Sequence, residues 1–518
     1  MVVQVQTACI HGIDAQCVTV EVDRVGGLPD IRIIGLPDLM VNESKDRLRS
    51  AIKNSGFEFP PCKLVVNLAP ADVRKAGTGM DLALAAGILR VLEALPNPEL
   101  LDSLLLVGEL ALDGTLRPIQ GTLCFAILAK QLGLQGLILP EANLAEAQLL
   151  EGLALYPLKH LSELGSLLEA PATFLAPALE VPIAQTRPNP YGVDFADIKG
   201  QVKAKRALEI AATGGHNILL SGPPGSGKSM LAKAFMSILP PLPLEHVLEV
   251  SRIHSVAGLL SPKEGVLRFP PFRSPHHSAS MAGLSGGGTI PKPGEITLAH
   301  RGVLFLDEIV EFPRPVLEIL RQPLEDRIIT ISRANQSHTF PADFQLLATM
   351  NPCPCGYLSD TLIPCTDTPQ QVERYRSKLS GPLLDRIDLQ LEVPRLPVNE
   401  LLQQQPQGDT SAMVAERVAE ARHRQAERYQ GLGIQMNAQL TPSMVREQCR
   451  LNEAGQALLT KAMQTYQLSA RSLDRLLRVA RTIADLAHAP TVEVVHLAEA
   501  LQYRSLPNQA SKQAVANR

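Results

Sequence analysis

A chain of 518 residues, 45% hydrophobic and 19% charged, is long enough for about three domains that each bury a core, and its composition is globular. No apolar run reaches the ~18 residues of a membrane helix, the alternating N-terminus lacks the charged-then-apolar order of a secretion signal, and eight cysteines over this length make no disulfide framework, so a reducing cytoplasm is expected. The net charge of −3 excludes a globally basic nucleic-acid coat; the first 170 residues carry 13 basic against 20 acidic side chains and the rest 36 against 32, so any DNA contact belongs to local patches late in the chain.

Residues 1–170 read as a mixed α/β domain, with strands at Val18–Val22 and Lys63–Leu68 and helices at Asn42–Asn54 and Asp81–Ala94. The proline-rich stretch 171–190 has the composition of a linker. From 191 to 397, short apolar strands alternate with helical stretches, the pattern of a parallel sheet covered by helices. Residues 398–506 hold helical periodicity at 411–431 and 441–503 with almost no strand signal, which predicts a helical subdomain. A polar tail, 507–518, closes the chain.

Residues 191–397 carry the chemistry. Gly222-Pro223-Pro224-Gly225-Ser226-Gly227-Lys228-Ser229 fits G-x-x-x-x-G-K-[ST] between a predicted strand and a predicted helix, the context that gives this pattern meaning. Its glycines let backbone N–H groups turn inward around a β-phosphate, and the helix N-terminus adds its dipole. Lys228 supplies a charge for the β- and γ-phosphates, and the Ser229 hydroxyl suits Mg²⁺. Gly302–Glu308 reads as a buried strand ending in two acids. Asp307 is the candidate for holding Mg²⁺ through water, and Glu308 for polarising the attacking water. An Asp-Glu pair that only opens a helix is the bland alternative, and the phosphate loop beside it disfavours that. ATP hydrolysis with Mg²⁺ is the expectation. The next strand, Asp343–Asn351, ends in a polar Asn351 suited to orienting water or sensing the γ-phosphate.

Taken together, Gly222–Ser229, the segment Pro271-Phe-Arg-Ser-Pro-His-His-Ser-Ala-Ser, Asn351-Pro-Cys-Pro-Cys-Gly and Ser380–Asp388 resemble the magnesium-chelatase-like AAA+ ATPase family. Within it, residues 1–506 resemble the ComM/YifB competence protein branch. The resemblance implies an α/β fold: a Lon/S5-like N-terminal domain, an AAA+ αβα P-loop core with a helix-2 insert, and a helical lid. It implies Asn351 as sensor 1, Arg386 as an arginine finger reaching a neighbour's nucleotide, Arg471 as sensor 2, and Ile198 and Gly200 beside the adenine. Asn217 resembles the residue that restrains Glu308. A homohexamer that drives DNA branch migration on single-stranded and branched DNA, aiding integration of incoming DNA in natural transformation beside recombination proteins, is the implied function. A magnesium-chelatase ATPase subunit and a protein-remodelling ring are the rivals.

Lys228 and Asp307 lie 79 residues apart, more than a strand–helix–strand unit of about 30 residues needs. The surplus, Gly258–Gly294, resembles the insert that related ATPases push into a ring pore, and Lys263, Arg268, Arg273, His276, His277 and Lys292 make it cationic. A hairpin over Arg327–Phe340 offers Arg333 and Asn335 near its turn. Such contacts would grip phosphate, not read bases; a solvated surface or salt bridges explain the same charges.

Cys353, Cys355, Cys365 and Asp367 are paired by spacing, where the family branch shows Cys-x-Cys at both places. A Cys₃Asp zinc site and three reduced thiols in a loop remain open readings. In the N-terminal domain, Gly79 and Leu123 occupy the places of a Lon-type serine and lysine, so proteolysis is not expected.

Overall fold

Strands and helices of the N-terminal region follow from its patterning. The computed structural model describes residues 2–72, 75–177, 191–260, 267–288, 292–333, 336–397, 408–466 and 469–504. In β1 (Val3–His11) and β2 (Asp14–Val25), alternate residues such as Val3, Val5, Val18, Val20 and Val22 are buried. The two form a hairpin in which Val3 faces Val22 and His11 faces Asp14. With β3 (Asp30–Ile34), β4 (Lys63–Ala69), β5 (Leu104–Leu106), β6 (Gly136–Pro140) and β7 (Ala154–Leu158) they make a mixed seven-stranded sheet, order β3-β4-β2-β1-β5-β6-β7. The helix expected from Asn42 begins at Leu39, because the Asp38 carboxylate caps it by accepting the Val41 N–H at 2.8 Å. Helix Asp81–Val91 has nine consecutive buried residues and lies against β1 and β2. Gly87 permits that approach: a Cβ there would stand 2.8 Å from a Val22 methyl.

The molecule consists of two compact units, and the first takes Met1–Ile183 together with Leu244–Leu267 and Ile290–Pro293. Helix Leu244–Val256 packs with helix Thr122–Gln131 of the N-terminal region. Arg252 pairs with Asp14 at 2.9 Å, and the Gly121 N–H donates to the Ser255 carbonyl.

The second unit is built on five parallel strands: β8 (Ile218–Ser221), β9 (Phe272–Arg273), β10 (Val303–Leu306), β11 (Gln345–Met350) and β12 (Leu389–Glu392), in the order β9-β10-β11-β8-β12. The strands β8, β10 and β11 are buried throughout, as a parallel sheet covered on both faces requires. Helices Val202–Gly214 and Lys228–Ile238 share one apolar core with the C-terminal helices Ser411–Arg428, Ala470–Leu486 and Val494–Leu501. An antiparallel hairpin, Ile328–Arg333 with Gln336–Pro341, precedes β11. No helix among the described residues is long and apolar enough to cross a membrane.

Candidate nucleotide site

Parallel strands place all their C-terminal ends on one side, and ligands of such sheets bind there. β8 runs into the loop Gly222–Gly227 and then into the eleven-residue helix Lys228–Ile238. Gly225 (φ 76°) and Gly227 (φ 90°) are left-handed, which glycine adopts without strain and which turns successive N–H groups to one side. Gly222 is required for a different reason: a Cβ would come within 2.2 Å of the Val393 carbonyl oxygen. Pro223, Pro224, Ser226 and Ser229 complete the loop; Pro224, Gly225 and Ser229 are exposed and Ser226 is buried. Lys228 Nζ donates to the Gly222 and Pro223 carbonyls at 2.6 and 2.9 Å and to Asn351 Oδ1 at 3.3 Å. Burial holds the Lys228 pKa below the ordinary lysine value, against the opposing charges of Asp307 and Glu308.

The acids follow β10 on the same side. Ser229 Oγ donates to Asp307 Oδ2 at 3.1 Å, so a hydroxyl and a carboxylate, the hard oxygen donors Mg²⁺ favours, sit together. Thr349, fully buried on β11, donates to the other Asp307 oxygen and accepts the Glu308 N–H at 3.1 Å. Glu308 is exposed and held in a left-handed conformation (φ 51°, ψ 50°) that costs a non-glycine residue about 1–2 kcal/mol. Inward N–H groups, a helix N-terminus, one lysine and this oxygen pair fit a nucleoside triphosphate with its Mg²⁺. Ile198 is buried and Gly200 has φ 53°. Beside them Gln201 Nε2 donates to the Ser226 carbonyl at 3.3 Å and to that of Pro394 at 2.7 Å, fastening the segment to the phosphate loop.

Lys228, Ser229, Asp307, Glu308 and Asn351 are thus brought together, whereas Arg386 and Arg471 are elsewhere. Arg386 precedes β12 and lies at the N-terminal ends of the strands; the length of β8, about 13 Å at 3.3 Å per residue, separates that level from the phosphate loop. Its guanidinium donates to the Pro382 carbonyl at 2.7 Å and to the Glu325 carboxylate, and Arg471, largely exposed, approaches the same carboxylate at 3.9 Å. Both arginines hold the Glu325 carboxyl below its usual range, the Arg386 hydrogen bond foremost. Asn217, expected to restrain Glu308, also stands at the N-terminal end of its strand, and its amide contacts are with Arg386 and Leu346. It precedes β8 while Glu308 follows β10, so parallel strands put the two at opposite ends.

The cysteines converge. Sγ atoms of Cys353, Cys355 and Cys365 lie 3.3–3.6 Å apart, and with an Asp367 oxygen the four donor atoms fall within 4.8 Å of one another. Burial pushes the Cys353 thiol up to about 12. The turn packs on the phosphate loop: a Cβ at Gly356 would stand 2.7 Å from Pro224. All eight cysteines are free.

The cationic candidates are more dispersed. Lys263 and Asn335 lie outside the described residues, as does the side chain of Arg333, whose backbone ends the first hairpin strand. Lys292 is exposed. Arg273 is committed to Glu295 through two hydrogen bonds of 2.6 and 2.7 Å, which removes it from any free cationic surface. In the first unit, Leu123 is buried in helix Thr122–Gln131 and the Gly79 carbonyl accepts from Gly108 N–H; neither position offers a nucleophile or base. Thr349 and Gln201 were not singled out in the sequence. Thr349 sits two residues before Asn351, the period that returns a strand residue to the same side; Gln201 directly follows the segment assigned to the adenine.

Comparison with known families agrees along the chain. "Magnesium chelatase, subunit ChlI" matches residues 194–401, "Subunit ChlI of Mg-chelatase" residues 20–143, and "Magnesium chelatase, subunit ChlI C-terminal" residues 408–504. The uncharacterized protein YifB of Salmonella typhimurium is 43% identical over 503 residues, 97% of each chain. Competence protein ComM of Haemophilus influenzae is 44% identical over 503 residues, 96% of each. The magnesium-chelatase 67 kDa subunit of Chlorobaculum parvum is 28% identical over 167 residues, 31% of this chain and 23% of its own. Full-length identity at this level, with the loop Gly222–Ser229, the paired acids and Asn351 on one side of a parallel sheet, makes the chain a member of the ComM/YifB branch of the magnesium-chelatase-like AAA+ ATPases.

Proposed function

We propose that the protein is the protomer of a closed ring, a homohexamer, that remodels DNA with ATP and drives branch migration as incoming single strands are integrated during natural transformation. The observation carrying the ring is the distance of Arg386 from its own phosphate loop. An arginine about 13 Å away along the strand direction cannot serve its own γ-phosphate, so it serves a neighbour's. A head-to-tail contact of that kind closes into a ring. DNA as the substrate, and recombination proteins as partners, are supported by the full-length relative named a competence protein.

In this reading ATP supplies the phosphoanhydride, and Mg²⁺, held by Ser229 and Asp307, supplies the charge that offsets the phosphates. Lys228 and the loop N–H groups bind the β- and γ-phosphates, while Ile198 and Gly200 flank the base. Glu308 polarises water, Asn351 orients it, and Arg386 and Arg471 act as finger and sensor 2. The insert and the hairpin grip the DNA backbone. The N-terminal unit is read as a Lon-like scaffold without proteolysis, in keeping with a glycine at 79 and a leucine at 123.

The test is strand exchange on a synthetic four-way junction. Wild type should move the branch point only with ATP, and Lys228→Ala should not move it. Equal movement by both, or none by wild type while ATP is being hydrolysed, would sink the DNA reading.

A zinc ion at Cys353, Cys355, Cys365 and Asp367 is a second proposal, favoured by one observation. A tetrahedral site with Zn–S near 2.3 Å has S–S edges of about 3.8 Å, and the three sulfurs lie within a few tenths of an ångström of that. Elemental analysis should find one zinc per chain, reduced by Cys365→Ser.

A further inference from the structure

We infer that Asn217 is a positioning residue for Arg386, registering the arginine that each protomer offers its neighbour to that protomer's own phosphate loop. The inference rests on the reading of Arg386 as a trans-acting group. Asn217 is the junction of three elements. It immediately precedes β8, which ends in the phosphate loop. Its Oδ1 accepts the Leu346 N–H at 2.8 Å, near the start of β11, which leads to Thr349 and Asn351. Its Nδ2 donates to the Arg386 carbonyl at 3.0 Å.

The backbone of the same residue adds three bonds. Its N–H donates to Asp388 Oδ2 at 3.0 Å, and its carbonyl accepts from the Asp388 and Leu389 N–H groups at 3.0 Å each. Ordinary parallel pairing accounts for the carbonyl bonds to β12. It accounts for neither end of the side-chain amide, which bridges β11 to a turn 40 residues further on. An amide suits this place: one face must accept from an N–H and the other must donate to a carbonyl. The Asp388 carboxylate is buried and faces His216 at 3.6 Å and Arg475 at 3.9 Å, so the turn carrying Arg386 is held from below as well. The guanidinium holds the Pro382 carbonyl at 2.7 Å and the half-exposed Glu325 carboxylate, and a more highly charged phosphate can displace the carboxylate. The base of the arginine is fixed and its tip is exchangeable, as a group that must reach across a subunit contact requires. Strand β8 between Asn217 and the loop makes the link stiff, so a shift of the loop is felt at the turn.

Asn217→Asp keeps the acceptor for Leu346 and replaces the donor to the Arg386 carbonyl with a repelling oxygen. Rings of this variant should lose about tenfold or more in kcat, the scale of a reacting group displaced by a fraction of an ångström, with affinity for a fluorescent ATP analogue unchanged. The decisive experiment dopes hydrolysis-dead protomers into wild-type rings. Three dopants are compared: Glu308→Gln, Glu308→Gln with Asn217→Asp, and Glu308→Gln with Arg386→Ala. The dead site is common to all, so any extra inhibition reports the arginine presented to a wild-type neighbour. Extra inhibition by the Asn217 dopant, following that of the Arg386 dopant, is expected. If it instead matches Glu308→Gln alone while the Arg386 dopant inhibits further, the inference is overturned and the trans reading survives. If the Arg386 dopant also matches Glu308→Gln alone, the trans reading fails first and takes the inference with it. Co-elution with a tagged wild-type protomer verifies incorporation, and Asn217→Ser replaces Asn217→Asp in the same three-way comparison if the latter stays outside the ring.

Discussion

The two ends of the five-stranded sheet carry polar residues of different kinds, for different reasons. At the C-terminal ends, Lys228, Ser229, Asp307, Glu308 and Asn351 are partly or fully accessible and contact each other through bonds that a phosphate or metal can replace. At the N-terminal ends, Asn217 is half-buried, His216 and Asp388 are buried, and their bonds run to backbone and to helix Ala470–Leu486 through His216 and Thr482, 2.7 Å apart. One end is arranged to exchange partners and the other to keep them. Burial decides which: a polar group out of water must be satisfied permanently, while one at the surface can trade.

Four substitutions would break or sharpen that contrast. Lys228→Ala should have the largest effect, abolishing ATP turnover and nucleotide-dependent activity with no change in melting temperature; a large loss of stability would mean this end is structural too. Arg386→Ala should reduce kcat about 10³-fold in assembled protein while leaving ATP-analogue affinity intact. Lost ATP binding would mean that both ends serve one nucleotide. Asp388→Asn should act through stability. Burial by itself raises the Asp388 carboxyl, but His216, 3.6 Å away, and the charges of Arg475 and Arg478 outweigh it and leave the group below the usual carboxylate range. Its contribution is therefore present above the unfolded value of about 3.9 and is lost as pH falls below that toward the folded value. Denaturant titration at pH 7 should find the variant about 3–5 kcal/mol less stable, with the difference shrinking in acid. Thr349→Val should be mildest, weakening the apparent affinity for Mg²⁺ in the ATPase assay by about tenfold, because Thr349 orients Asp307 without needing to touch the ion. An unchanged Mg²⁺ requirement would remove Thr349 from the exchanging end.

Much of the exchanging end could be read along the chain, because its residues are local. Gly222–Ser229 is eight consecutive positions, and each acid or amide follows directly on an apolar strand. The keeping end could not, since its partners are distant: Asn217 with Arg386 and Leu346, His216 with Thr482. For Asn217 the family resemblance implied a partnership with Glu308, and strand direction puts the two at opposite ends of the sheet. Arg273, one of the residues that make the insert cationic in the sequence, is paired with Glu295, 22 residues on. Helix Leu244–Val256 lies within the span 191–397, read from its periodicity as a parallel sheet covered by helices, yet it packs in the N-terminal unit, where Asp14 and helix Thr122–Gln131 receive it.

By itself, then, the amino-acid order determined the class of chemistry: glycines that must be left-handed, a lysine and two acids whose types leave little besides a magnesium nucleotide. It also determined the alternation of strand and helix, since periodicity is a property of neighbours. Only the tertiary structure decided which end of the sheet each polar residue occupies, that Arg386 stands away from the phosphate loop it follows in the chain, and which thiols meet. These depend on strand order and direction, which are set by burial of a shared core among segments hundreds of residues apart.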